Sequence, residues 1–224
     1  MSIERTGSVQ PTNYTICTSS THPANPVQGA LIYETDTNEL FAYDGSAWQP
    51  VGQPARAWTF ISEVNLGSDG AISFTSIPAT FTHLELLVDL RSNWTSTGAV
   101  SDGVGIKINN DGTAADYGGE QLNVTLSSVS GGAAGTGSYG VNIFNAASTN
   151  DTANRYSSGR LLIPNYQSSH NKSFSGHCGG AAYGFLAMGW GQWASTAVIN
   201  RVDLVTVNGT AFKAGSRATL LGIR

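Results

Sequence analysis

Three residues of metal-ligand type lie close together in the second half of the chain: His170, His177 and Cys178. Imidazole nitrogens and thiolates are common zinc donors, and structural zinc sites use four of them at fixed short spacings. The spacing here matches none of these patterns, and the sequence offers no evident fourth ligand. If residues 173–179 form a strand, His177 and Cys178 point to opposite faces and cannot share an ion. We therefore expect no metal and no other cofactor.

Several carboxylates could in principle serve as the acid and base of a glycoside hydrolase. The candidates are Glu63, Glu85, Asp89, Asp116 and Glu120. Glu85 and Asp89 have the same parity within an apolar segment, which predicts a solvent-facing row or a salt bridge with Arg91. No Gly-x-Ser-x-Gly nucleophile elbow is present. The sequence thus predicts a protein that is not an enzyme, with a polysaccharide-degrading enzyme as the weaker alternative.

A glycine-rich run resembles a dinucleotide-binding motif but lacks the required context. Residues 135–140 match the pattern GxGxxG, which needs a strand before it and a helix after it. Here a Gly/Ala run precedes the motif and strand-like sequence follows it. The run from Gly131 to Gly140 is typical of a flexible surface loop.

Aromatic side chains in polar surroundings are a more open signal. The candidates, mostly next to Gly, Ser or Asn, are Trp94, Tyr139, Tyr156, Trp190 and Trp193. A ring face beside hydroxyl and amide groups suits stacking on sugar rings, and it suits a protein interface equally well. Two interpretations therefore stay open: core or subunit contact, and contact with a glycan.

Composition restricts the classes of partner. Charged residues make up 12% of the chain and the net charge is −4, without the clustered Lys and Arg that nucleic-acid binding needs. The N-terminal residues from Met1 to Arg5 lack the basic and apolar regions of a signal peptide, and no apolar segment is long enough to span a membrane. We expect synthesis in the cytoplasm, no membrane insertion and no binding to nucleic acid.

The elements that must position these residues fall into three predicted parts. Residues 1–28 are polar and contain three prolines, which predicts an extended N-terminal arm without strands. Residues 29–55 are predicted to form a small β-meander of three short strands, followed by a linker. A meander of this size cannot bury a core alone, so its aromatic residues are expected to pack against a neighbouring subunit or protein.

Residues 56–224 are predicted to be a jelly-roll-like β-sandwich, because short strands and turn signals recur throughout. Asn208-Gly209 is the strongest hairpin signal, and Asp69-Gly70, Asp102-Gly103 and Asp111-Gly112 are predicted turns. The predicted strands cover residues 58–66, 71–74, 83–91, 105–109, 121–127, 141–146, 160–165, 173–179, 197–207 and 219–223. A single helical turn is expected near residues 114–117.

Two stretches resemble structural proteins of tailed-bacteriophage virions. Residues 26–48, with Gly29-Ala-Leu-Ile-Tyr-Glu-Thr-Asp-Thr37 and Tyr43-Asp-Gly-Ser-Ala-Trp48, are similar to a module of phage tail-fibre and minor tail proteins. Residues 72–91 and the Gly-Ile ending at 222–223 are similar to a C-terminal β domain of tailed-phage structural proteins. Residues 95–195 match nothing recognisable.

The resemblance implies a homotrimer that assembles with other virion proteins. On this interpretation the protein is a tail-fibre or tip subunit that docks by its N-terminus and exposes its β domain for host attachment. A capsid head fibre or decoration protein is the alternative. The implied virion-anchoring residues are Leu31, Tyr33, Leu40, Phe41, Tyr43 and Trp48.

Overall fold

The computed structural model describes residues 14–51, 58–180 and 185–224. The chain divides into two compact units, Met1–Ala55 and Arg56–Arg224. The described residues form seventeen strands and one 3-10 turn, Ala114–Asp116. The protein is therefore all-β, as the sequence predicts. In the part of the chain that the structure describes, no helix has the length and apolarity to cross a membrane.

The smaller unit contains one four-stranded sheet. Its strands, in spatial order, are β1 (Thr15–Cys17), β2 (Leu31–Glu34), β3 (Glu39–Tyr43) and β4 (Trp48–Pro50). Strands β2 to β4 are the predicted meander, and it is confirmed. Strand β1 pairs in parallel with β2, so the prediction of an arm without strands is wrong at these residues. Three residues are too few to show a strand period, and β1 forms because the edge of β2 offers unpaired backbone groups.

The larger unit contains two antiparallel sheets. The eight-stranded sheet has the order β10 (Val129–Ala133), β9 (Tyr117–Val124), β15 (Leu186–Trp193), β14 (Lys172–Gly179), β13 (Ser157–Ile163), β7 (His83–Leu90), β17 (Arg217–Ile223) and β5 (Trp58–Asn65). The five-stranded sheet has the order β11 (Thr136–Gly137), β12 (Gly140–Ala147), β8 (Ser101–Ile108), β16 (Val202–Thr206) and β6 (Ile72–Phe74).

The two sheets pack face to face around one hydrophobic core, which makes this unit a β-sandwich. Leu84 and Leu86 of the eight-stranded sheet share the core with Ile106 and Phe144 of the five-stranded sheet. Alternate residues of a strand point to opposite faces, and β17 follows this rule with its even-numbered residues buried. In each strand of the eight-stranded sheet, the alternate residues that point away from the core form the outer face of the sheet.

Glycines on the inner face let the eight-stranded sheet lie close to β12. A Cβ atom added to Gly176 would lie 2.7 Å from the Phe144 ring, and one added to Gly189 would lie 3.1 Å from Ile143. Because the glycines themselves contribute no side chain here, β14 and β15 lie close against the five-stranded sheet.

Three local predictions for this unit are wrong. Asn208-Gly209 does not join a hairpin, because β16 and β17 belong to different sheets. Asp102-Gly103 lies inside β8 rather than in a turn. The predicted flexible loop at 131–140 instead contains parts of β10, β11 and β12. In each case long-range contacts determine the conformation, against the local turn and loop chemistry.

Candidate functional site

The six predicted anchoring residues of the smaller unit lie on two opposite faces of its sheet. Register and alternation place Phe41, Tyr43 and Trp48 on one face with Ile32 and Glu34. The remaining three are on the other face, and all six are half-buried. The six residues therefore cannot act as one contact surface.

The first face is covered by the segment that follows β1. The His22 ring packs on Trp48 at 5.8 Å and on Phe41 at 6.3 Å, measured between ring centroids. His22 Nε2 lies 2.5 Å from Glu34 Oε1, and Thr37 Oγ1 donates a 2.7 Å hydrogen bond to Glu34 Oε2. Glu34 and Ile32 are buried, so this face is the small core of the unit.

The second face is apolar, with one exposed and three half-buried side chains. It carries Leu31 and Tyr33 of β2 with Leu40 of β3, and Ile16 of β1 lies opposite Tyr33. Ile16 is 65% exposed. Tyr14 touches the edge of the Tyr33 ring, with 6.3 Å between the centroids. We call Ile16, Leu31, Tyr33 and Leu40 the open face of the smaller unit.

The predicted aromatic contact residues of the larger unit differ in exposure. Trp193 is 4% exposed and donates a 2.8 Å hydrogen bond from Nε1 to Asp111 Oδ2. It is a core residue, so its prediction as a glycan or subunit contact is wrong. Tyr156 is half-buried, and its hydroxyl donates to Ala214 O at 2.7 Å. Trp94 and Tyr139 are also half-buried.

Trp190 is the exposed member of this group, at 43%. It lies on the outer face of the eight-stranded sheet, between Glu120 of β9 and Ser175 of β14 in the cross-strand register. The next outward row holds Leu122, Met188 and His177. This places an indole ring beside a carboxylate and a hydroxyl on an open surface.

A groove of about 790 Å³ surrounds Trp190 on this outer face. Strands β9, β10, β13, β14 and β15 contribute to it. The residues that line it are Glu120, Gln121, Leu122, Gly131, Gly132, Arg160, Leu162, Ser175, Gly176, His177, Met188, Gly189 and Trp190. We call it the tryptophan groove. It lies over the inner-face glycines Gly176 and Gly189, where the two layers are closest.

A second groove, of about 640 Å³, adjoins the first. We call it the amide groove, after its Asn and Gln side chains. Its lining residues are Phe81, Thr82, Pro164, Asn165, Gln167, Ser168, His170, Asn171 and Ser173. Ser173 and Ser175 are two residues apart on the same face of β14, which corresponds to about 7 Å along the strand. The two grooves therefore lie side by side along β14.

The charged groups of the tryptophan groove are partly neutralised. Arg160 forms an ion pair with Glu85 of the adjacent strand β7, and Trp58 donates a hydrogen bond from Nε1 to the same carboxylate. Glu85 is 3% exposed although it points to the outer face. The predicted salt bridge of Glu85 or Asp89 with Arg91 is wrong, because the Arg91 guanidinium donates to backbone carbonyls, including Thr152 O at 2.7 Å.

Carboxylate catalysis does not match the placement of the two acidic residues near the groove. Glu120 on β9 and Glu85 on β7 are four strand spacings apart, which corresponds to about 19 Å. The two carboxyl groups of glycoside hydrolases are about 5 to 10 Å apart. Asp111 and Asp116 do interact, since burial and then the charge of Asp111 raise the pKa of Asp116. Neither of them lines the two grooves.

The predicted separation of the metal-type residues is confirmed for His177 and Cys178. His177 is exposed, whereas Cys178 is buried and its Sγ accepts a 3.1 Å hydrogen bond from Asn145 N–H. Burial raises the pKa of the Cys178 thiol to about 11. Within the described ranges, no group of three or more His, Cys, Asp or Glu side chains could hold a metal ion.

Sequence reasoning missed most of the groove around Trp190. Strand β15 was not predicted, because Gly189 and Gly191 interrupt its apolar run. Its alternation of exposed Met188 and Trp190 with buried Ala187 and Trp193 is the signal that could have separated the two tryptophans. The amide groove carries no sequence signal, because β13, β14 and the loop near Phe81 meet only in the fold.

Comparison with known proteins gives no match. No family model matches the chain, and no curated protein or solved structure matches it significantly.

Proposed function

We propose that this chain is a structural subunit of a bacteriophage virion, a homotrimeric tail appendage that attaches by its smaller unit and presents its β-sandwich to the host surface. The observation that carries the proposal is the open face of the smaller unit. Its sheet has one face built as a small core and one that leaves Ile16 65% exposed. Together with the half-buried Leu31, Tyr33 and Leu40, Ile16 forms a contiguous apolar patch, and such patches are typical of protein-contact sites.

The sequence resemblance supports the same assignment. The stretch at 26–48 that resembles tail-fibre and minor tail proteins includes strands β2 and β3 of the smaller unit. The second stretch, 72–91, covers β6 and β7 of the sandwich. Each resemblance therefore falls within one unit. This fits a division of roles in which the smaller unit attaches the protein and the sandwich forms the exposed surface.

We also propose a jelly-roll topology for the sandwich. When the inserted strands β9 to β11 and β14 to β15 are set aside, the sheet orders become β5-β17-β7-β13 and β6-β16-β8-β12. Eight antiparallel strands in two such sheets fit a jelly roll, an architecture that viral capsid proteins use. This observation also favours the second candidate function, a capsid head fibre or decoration protein.

Attachment can be tested with a charge on the open face. Ile16→Asp places a carboxylate in the proposed contact without entering the core face. Western blots of purified phage particles should show loss of the variant, because a contact would have to bury the new charge. The matched control is Val27→Asp, at a site that is 74% exposed and outside the open face.

Two results would contradict the proposal: equal incorporation of Ile16→Asp and wild-type chains, or purified particles that lack the wild-type chain. Immunogold labelling of intact particles separates tail from head. Depolymerisation of capsular polysaccharide by the purified chain would instead favour the enzyme alternative.

A further inference from the structure

We propose that the tryptophan groove and the amide groove together bind a linear glycan built of neutral sugars. This inference rests on the proposed surface role of the sandwich and names its ligand class. The two grooves have volumes of about 790 and 640 Å³, and each lies within the range of small-molecule sites in proteins, about 300 to 1,000 Å³. Together they accommodate several sugar rings in a row.

Trp190 supplies the stacking platform for one ring. A sugar presents a C–H face and a rim of hydroxyls, so it needs an apolar surface bordered by hydrogen-bonding groups. The Trp190 indole has Glu120 on one side and Ser175 on the other. Met188 and His177 repeat the combination in the next row. An aromatic ring with polar neighbours provides both parts of this recognition.

The amide groove continues the hydrogen-bonding surface along the glycan. Asn165 and Asn171 are exposed, and Ser173 lies next to Ser175 on the same strand face. Amide groups both donate and accept, which matches the mixed character of sugar hydroxyls. Gln167 donates from Nε2 to the backbone oxygen of Phe81, and this contact holds the groove wall in place.

The charges favour neutral sugars over acidic ones. The cation of the tryptophan groove, Arg160, is already paired with the buried carboxylate of Glu85. Glu120 adds a negative charge beside Trp190, so an anionic sugar would meet repulsion there. His177 and His170 are the other ionisable lining residues.

The same charges argue against a protein partner at this surface. The buried centre of a protein interface is depleted of charged residues, whereas Glu120, Arg160 and His177 lie among the apolar groups here. A second copy of the chain would have to desolvate these groups, and that carries a substantial cost.

Binding is tested on the full chain with an array of neutral hexasaccharides of glucose, galactose, mannose and N-acetylglucosamine, with hyaluronan and polysialic acid hexasaccharides as anionic probes. Isothermal titration then gives the Kd of each hit. We expect binding of at least one neutral probe and weakening of about tenfold or more in Trp190→Ala, since loss of the ring removes the stacking contact. Asn171→Ala is expected to weaken the same probe by a smaller factor.

Phe60→Ala is the matched control, because Phe60 is 63% exposed on the same sheet but lines neither groove. It should bind as the wild type does. Absence of binding to every neutral probe at about 1 mM, preference for the anionic probes, or unchanged binding by Trp190→Ala would each overturn the proposal. Light scattering compares the oligomeric state of the wild type with that of the variants. An oligomeric wild type with monomeric Trp190→Ala and Phe60→Ala variants would show a protein interface instead.

Failure of this inference is distinguishable from failure of the virion assignment. Incorporation into particles depends on the open face of the smaller unit, and glycan binding is measured on the isolated chain. Particles that contain the chain, together with a chain that binds no glycan, would reject the ligand and keep the structural role.

Discussion

The buried carboxylate of Asp102 in β8 accepts a hydrogen bond from the main-chain N–H of Asn208, 106 residues further along the chain, at 3.1 Å. The Asn208 side chain donates to the same oxygen at 2.9 Å. Gly209 N–H and Ser92 Oγ donate to the other oxygen at 3.0 and 2.6 Å. Asp102 therefore fixes the connection between β16 and β17, where the chain crosses from one sheet to the other.

We expect Asp102→Ala to lower the free energy of unfolding by about 3 kcal/mol, because four donors would lose a buried charged acceptor. Urea unfolding followed by tryptophan fluorescence measures the change. Asp89→Ala is the control, since Asp89 is an exposed carboxylate on the outer face of β7, and its removal should change stability by less than about 0.5 kcal/mol. Equal effects of the two substitutions would contradict the assigned role of Asp102.

The Asp102 site also marks the limit of prediction from sequence. Strands with strong apolar alternation were predicted closely: 83–91 corresponds to β7 at His83–Leu90, and 173–179 corresponds to β14 at Lys172–Gly179. Asp102-Gly103 has the same local chemistry as a turn, yet it lies within a strand. Its role depends on Asn208, and no local pattern connects two residues so far apart in sequence.

The buried ammonium of Lys172 provides a second stability prediction. Its Nζ donates to the carbonyl oxygens of Ser168 and His170, both at 2.7 Å, and the side chain is 1% exposed. Lys172→Met should lower the free energy of unfolding by about 2 kcal/mol, because these partly buried carbonyls lose their charged donor. Thermal unfolding checks the change. Lys107→Met, at a half-buried position, is the control and should behave as the wild type.

The Asp44 turn of the smaller unit predicts a specific acid titration. Hydrogen bonds from Ala47 N–H, Ser46 N–H and Ser46 Oγ, each 2.8 Å, lower the pKa of Asp44 well below its ordinary value. The stabilisation is present above the ordinary Asp pKa, about 3.9, and is lost as the pH falls through the lowered folded-state pKa. A carboxyl carbon NMR titration should show Asp44 still ionised at about pH 3.

Asp116 is the internal control for that titration. Burial, followed by the charge of Asp111, raises the pKa of Asp116, so it should take up its proton before Asp44 as the pH falls. If Asp44 titrates at the same pH as Asp116 or above it, the hydrogen bonds of the turn do not form in solution.

The site was less predictable than the fold, and the two tryptophans of β15 explain why. Trp190 and Trp193 are only three residues apart, yet one is 43% exposed and the other 4%. Their positions in the chain are separated by an odd number, so recognition of β15 as a strand would have placed the two side chains on opposite faces. The glycines that obscured this strand are the residues that let it approach β12, so the same feature hid the groove and forms its floor.

Adjacent glycines in β9 test how closely this strand packs against β15 of its own sheet and against β12 of the other sheet. A Cβ atom added to Gly119 would lie 2.3 Å from Trp190 O and 3.1 Å from Val141 Cγ2, whereas one added to Gly118 would meet nothing within 4 Å. Gly119→Ala should therefore lower the free energy of unfolding by about 2 to 3 kcal/mol, because the backbone of β15 must shift to relieve the contact. Gly118→Ala, in the same strand, should change it by less than about 1 kcal/mol. Chemical denaturation of both variants checks the difference. The shift of β15 would also move Trp190. Gly119→Ala should therefore weaken binding of any neutral hexasaccharide that the wild-type chain binds. Equal stability of the two variants would mean that β9 does not pack against β15 and β12 as closely as described.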